Sequence, residues 1–238
     1  MALSDYLKQT QRLLNDTEQR TFNPGDLVFY INQARVWLAG DSQSIKFFGN
    51  YNLTTGFQGP YLFSAITLPG AVGVSGVLSI RQQFYLIGDG QLWFRGRSWP
   101  WFTQYFANFA AATKGPPKAW AQYAEGVNGT IFIGPVPDQA YTISADCICI
   151  PSNLGTDSDP EAIPAPWTIA VPYYAAYLAL LSAPTPERRN DAVKMLQLYD
   201  QFMTGARRQV APDIMPSNFS QQPNPVRTNQ LGISEKVG

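Results

Sequence analysis

Residues 162–186 read AIPAPWTIAVPYYAAYLALLSAPTP, and how they are read decides the fold class. No charge falls between Glu161 and Glu187, and a membrane span needs only ~20 mostly apolar residues. Prolines at 164, 166, 172, 184 and 186 interrupt the run, so that only residues 172–182 remain as an unbroken helix. A short Ala/Tyr-rich helix of this kind belongs in the core of a globular chain, and no membrane is expected. Outward from it, Thr185-Pro186-Glu187 supplies a cap, a first-turn proline and an acidic second residue. They open a long helix over 186–210. Ala192, Met195, Leu196, Tyr199, Phe202, Met203 and Ala206 form its apolar face, and Arg207 and Arg208 complement the dipole in its last turn. Residues 212–238 are rich in Pro, Asn, Gln and Ser, and alone bury too little apolar surface to offset their ordering entropy.

The N-terminal end is also helical. Residues 3–16 carry Leu3, Leu7, Thr10 and Leu14 on one stripe, with Ser4 as the expected cap, and read as a helix rather than a signal peptide. Asn23-Pro24 starts a second helix whose stripe is Leu27, Tyr30, Ile31, Ala34, Trp37 and Leu38, with Gly40 as its expected stop. Between the two helical ends the texture changes: residues 47–80 contain no charge, and Gly, Pro and Thr punctuate short apolar runs. Strands are expected at 61–68, 74–87 and 91–97, the last two joined by a Gly88-Asp89-Gly90 hairpin turn, and again near 118–124, 130–134 and 140–150. Trp99-Pro100-Trp101 opens a short helix with Phe102, Tyr105, Phe106, Phe109 and Ala110 on one face. The expectation is an α+β chain. A small helical bundle forms from 1–44 and 156–211, a β-rich insertion with one short helix covers 45–155, and an extended tail occupies 212–238.

Composition narrows the chemistry. The 238 residues hold 17 Lys+Arg and 17 Asp+Glu, and the charged fraction of 14% lies well below the roughly 25% of an average soluble domain. A neutral chain is a poor electrostatic coat for nucleic acid. So few charges on an aromatic-rich chain suggest that partners cover part of its surface. The absence of histidine removes Ser-His-Asp and Cys-His catalysis and every His-containing metal site. Cys147 and Cys149 share a strand face, which suits two small buried thiols better than a bridge or a metal site. Asp157, Asp159 and Glu161 alternate like the start of a calcium loop. The required glycine and terminal glutamate are missing and Pro160 intervenes, so a solvated loop is the reading. Neither a cofactor nor a metal is expected. Arg95 and Arg97 stand beside Trp93 and Trp99, a pairing able to grip a single nucleic-acid strand or a sugar, though packing or a subunit contact accounts for it more simply.

The segment Gly134-Pro135-Val136-Pro137-Asp138-Gln139-Ala140-Tyr141-Thr142-Ile143 resembles the Pro-x-Pro-Asp-x-x-Tyr-x-Ile strand start of the head-to-tail adaptor proteins of short-tailed bacteriophages. A strand, an Asp-containing loop, Trp167 and the Tyr173-Tyr174-Ala175-Ala176-Tyr177-Leu178-Ala179-Leu180 helix follow in the same order as in that family. The resemblance is strongest over 130–211. It implies a structural, non-enzymatic virion protein, assembled in the host cytoplasm as a ring of about twelve copies. The ring would lie between the portal and the tail nozzle and continue the DNA channel without binding DNA specifically. It further implies that 212–238 docks on the portal, with Phe219, Arg227, Arg207 and Arg208 as candidate contacts. Trp93, Arg95, Arg97, Trp99 and Trp101 are then candidates for the subunit or nozzle interface. The rival reading is a glycan-binding or glycan-processing phage tail protein that uses Trp93, Trp99, Trp101 and Trp120.

Overall fold

The computed structural model describes residues 1–87, 90–106, 114–182 and 186–210. It is an α+β fold in which five helices accompany a curled seven-stranded sheet. The helices are α1 (Leu3–Leu13), α2 (Pro24–Ser42), α3 (Trp99–Tyr105), α4 (Val171–Leu181) and α5 (Pro186–Val210). The strands are β1 (Lys46–Leu53), β2 (Tyr61–Leu62), β3 (Val74–Ile87), β4 (Gly90–Arg97), β5 (Ala119–Tyr123), β6 (Thr130–Gly134) and β7 (Tyr141–Pro151).

The 162–186 stretch folds as its prolines require. Pro172 occupies the second position of α4, where the missing N–H costs nothing, and so begins the helix instead of kinking it. Ala175, Ala176 and Ala179 are fully buried, and these small side chains let α4 pack closely against α1, α2 and α5. On the facing side of α5, Ala192, Tyr199 and Met203 are buried, and Tyr199 meets Tyr174 with ring centroids 4.8 Å apart. Thr185, the expected cap of α5, lies outside the described residues, as do the side chains of Ala206, Arg207 and Arg208. No helix among the described residues is long and apolar enough to cross a membrane.

The strand order is β1-β7-β3-β4-β5-β6-β2. Every pairing is antiparallel except β4 with β5. The β3–β4 hairpin closes with Ile87 opposite Gly90, while Gly88 and Asp89 of the expected turn lie outside the described residues. Three register shifts along β3 against β7 add twist to the sheet. The curl nearly closes: just past β2, Thr67 exchanges two backbone hydrogen bonds, of 2.8 and 2.9 Å, with Asn50 of β1 at the opposite edge. Tyr51, Leu53, Tyr61, Phe63, Ile80, Phe94, Trp120, Ile131 and Ile143 are buried members of a single hydrophobic cluster that also takes in Tyr6, Ile31, Leu38 and Ala175 from the helices.

Four local expectations are corrected. The strand expected at 61–68 stops after Leu62, because the chain turns through a 3-10 segment (Phe63–Ala65) to carry Thr67 across to β1. β1 itself has no counterpart among the expected strands. Its centre is Gly49, where a Cβ would lie 2.4 Å from Ile66, so a residue that disfavours strands is required by the crossing segment. α2 runs past Gly40 to Ser42 and ends on Gln43 in the left-handed conformation (φ 51°). α1 ends at Leu13, and Ser4 lies inside it: the acceptor for the Ser4 N–H is the Asp157 carboxylate, 2.7 Å away and remote in sequence.

Truncating Tyr199 to Ala should lower stability by about 3–5 kcal/mol, as expected for a buried aromatic, read as a shift in the urea midpoint at constant slope. Val193→Ala, on the exposed side of the same helix, should change it by less than ~0.5 kcal/mol. Equal effects would show that this face of α5 is not packed as described.

Candidate assembly surfaces

Alternation along β4 sorts its side chains. Phe94 is buried and Gly96 faces inward against the Trp120 indole, where a Cβ would sit 3.1 Å from the ring. Trp93, Arg95 and Arg97 point the other way and are exposed. α3 follows directly, and its Trp101 stacks on Tyr105 with centroids 4.6 Å apart and planes 15° from parallel. The Arg97 guanidinium lies 4.7 Å from the centre of the Trp101 ring. The result is an outward ridge of arginine and aromatic side chains with Tyr105, 72% exposed, at its end. Tyr105 was legible only as part of a core stripe; its spacing of four from Trp101 is the signal that pairs them. Trp99, expected with this group, turns inward and packs on Tyr123 and Phe132 at 5.0 and 4.6 Å. Trp120 is buried, so it cannot serve the exposed aromatic platform that a glycan-binding reading requires. Phe109 and Ala110 of the expected stripe lie outside the described residues.

A second surface lies on α2. Trp37, read from sequence as a core position, is 57% exposed, and Phe29 is 58% exposed. The core positions of this helix are Leu27, Ile31, Ala34, Arg35, Leu38, Ala39 and Ser42, an arc that leaves Trp37 on its outer border. Trp37 leans on Tyr174 and walls a groove of about 340 Å³ together with Val36, Leu78 and Ile150. Two exposed carboxylates, Asp41 and Glu125, stand at the same groove.

Beneath α2 sits a buried charge network that the local sequence pattern hid. Arg35 and Glu161 form a bidentate pair, with Nε to Oε2 at 3.0 Å and Nη2 to Oε1 at 2.7 Å. Their side chains are only 1% and 8% exposed. Arg35 Nη1 also donates to the Ser152 carbonyl at 2.6 Å, and the Tyr6 hydroxyl donates to Glu161 Oε2 at 2.8 Å. The Ile163 N–H completes the set at Glu161 Oε1, 2.9 Å. Glu161 is therefore not part of a solvated loop. Burial alone would raise its pKa, but the hydrogen bonds and charge of Arg35, with the Ile163 and Tyr6 donors, hold it below the usual glutamate value. Burial pushes the Tyr6 hydroxyl well above its ordinary pKa. Asp157 and Asp159 are likewise held low by backbone N–H donors, from Ser4 in the first case and from Gly155 and Thr156 in the second. Glu161 is thus engaged at both oxygens, while Asp157 and Asp159 act as acceptors for backbone N–H groups.

Among the described residues no group of three or more His, Cys, Asp and Glu side chains could hold a metal ion. Cys147 and Cys149 are free and buried, and burial raises their thiols to about 12 and about 11. Of the candidate portal contacts, Phe219 and Arg227 lie outside the described residues, and Arg207 and Arg208 are placed in α5 by backbone alone. Compared with known proteins, residues 1–227 match the SU10 adaptor protein family. No curated protein matches the chain.

Replacing Glu161 by Gln should cost about 3–5 kcal/mol, because it leaves Arg35 buried without its counter-charge. The ionised Glu161 contributes fully above the unfolded glutamate pKa of ~4.3, and that contribution fades as pH falls through the lower folded value. Urea midpoints measured against pH should therefore drop on the acid side in the native chain and drop less in the Gln variant. Parallel profiles would contradict this role.

Proposed function

Because the chain belongs to the SU10 adaptor protein family, a family of phage structural adaptors, we propose that it works as a ring subunit at the head–tail junction. About twelve copies lie between portal and tail nozzle and continue the DNA channel. The role is structural and non-enzymatic. The observation that carries this reading is a family match running over residues 1–227, nearly the whole chain.

The surface supports it. Phe29, Trp37, Phe48, Leu62, Val72, Trp93 and Tyr105 are all half or more exposed. On a solitary subunit they would be a liability; on a ring subunit the flanking copies and neighbouring tail parts cover them. Residues 212–238 then act as the portal-docking arm, with Phe219 and Arg227 in the arm and Arg207 and Arg208 at its root. A polar, Pro-rich segment of this kind orders on its partner and wraps it, and repetition around a ring multiplies weak single contacts by avidity. With 17 positive and 17 negative side chains, the chain has no net charge to hold DNA in the channel it surrounds.

Mixing the purified protein with the portal of its own phage should produce a twelvefold collar visible by negative stain. Deleting 212–238 should leave a folded subunit that no longer joins the portal. Full-affinity binding by the truncated chain would rule out the docking arm, and the absence of any collar with the intact chain would rule out the ring.

A further inference from the structure

The neutral total conceals a segregation of charge. Residues 90–124 hold Arg95, Arg97, Lys114 and Lys118 and not one of the 17 acidic residues. The rest of the chain is therefore left with an acidic excess of four. Arg95 and Arg97 have no ion-pair partner among the described residues, and both face outward between Trp93 and Trp101. The groove on α2 is the counterpart: Asp41 and Glu125 at apolar walls made by Val36, Trp37, Leu78 and Ile150. A volume of about 340 Å³ accepts one or two large side chains. An apolar slot with carboxylates at its border suits an arginine or a tryptophan flanked by arginine.

Within one copy the sheet keeps the Trp93 end of the ridge away from the groove: Leu78 at the groove and Phe84, the register partner of Trp93, are six residues apart on β3, about 20 Å at strand rise. Neither surface is self-complementary either. Two ridges would oppose arginine to arginine, and two grooves carboxylate to carboxylate, which disfavours a symmetric dimer. A contact between unlike surfaces is heterologous, and a heterologous contact that closes generates a ring.

We infer that the Trp93–Arg95–Arg97–Trp101 ridge of one copy seats in the Asp41–Glu125 groove beside Trp37 of the next. This deepens the ring reading and rests on it. The apolar walls and aromatic side chains supply the burial, while the charges set polarity around the ring and exclude wrong pairings. Tyr105, at the end of the ridge, covers the border of the contact.

Charge reversal tests it. The variants are R95E/R97E, D41R/E125R, and the fourfold combination, all at exposed positions, with circular dichroism and melting used to confirm folding. Ring formation is followed by sedimentation velocity and negative stain, for the protein alone and on its portal. Each double variant should lose roughly 10- to 100-fold in subunit association. An equimolar mixture of the two doubles, and the fourfold variant by itself, should regain it, because each reversed ridge then meets a reversed groove. Wild-type rings that persist in R95E/R97E, or a fourfold variant no better than the doubles, overturn this contact and leave the ring itself standing. If ridge reversal removes binding of DNA or of the portal while the ring survives, the ridge serves that partner and the inference fails. A wild-type chain that stays monomeric in both settings overturns the ring and this contact with it.

Discussion

Arg35 reaching Glu161 is the interaction on which the rest of the molecule leans. A buried guanidinium is tolerable only when its donors are satisfied, and here α2 delivers Arg35 to a carboxylate and a carbonyl that both belong to the stretch after β7. Glu161 in turn takes the Tyr6 hydroxyl from α1. Asn32, one turn before Arg35, exchanges hydrogen bonds of 3.0 and 2.8 Å with the backbone of Leu154. Two helices from one end of the chain are thereby tied to the loop that links the sheet to the helices of the other end. The orientation of α2 follows from this. With Arg35 held inward, Trp37 must sit at the outer border, and the groove beside it takes its shape.

The sheet solves a different problem. A seven-stranded sheet has two edges that invite foreign strands. Here the segment after β2 crosses to β1 and the Asn50–Thr67 exchange joins the edges. Gly49 makes room for that crossing. Once the curl has closed on its apolar side chains, the outer faces are free for assembly. The β4 ridge is the place where arginine and aromatic side chains concentrate on such a face. The molecule thus keeps its ordinary core chemistry inside and leaves exposed tryptophans and the Arg95 and Arg97 guanidiniums on the outside.

Much of what depends on near neighbours was legible in the sequence. The prolines around α4, the Asn23-Pro24 start of α2, the periodic face of α5 and the β3–β4 hairpin are all local signals. The inward–outward sorting of Trp93, Arg95 and Arg97 also follows from strand alternation alone. What stayed hidden depends on distant parts of the chain. Arg35 and Glu161 are separated by 126 positions, so no local pattern links them, and Glu161 read as part of a solvated loop. Gly49 and the 66–68 segment explain each other only once they are adjacent. Trp37 read as a core position and Trp99 as an interface position, and the neighbours that reverse both, Arg35 in one case and Phe132 in the other, are set by tertiary packing.

Native-state hydrogen exchange on the Arg35→Met variant tests most directly whether the Arg35 node makes helices and sheet one body. The account predicts that amides of α2 such as Leu38 and Ala39, the Leu154 and Ile163 amides of the linking loop, and the Cys149 amide of β7 open together with a common free energy. The substitution should lower that value for all of them by a similar amount. If the β7 amides kept their wild-type protection while those of α2 and the loop exchanged freely, the node would be a local fastening only, and the account would be wrong.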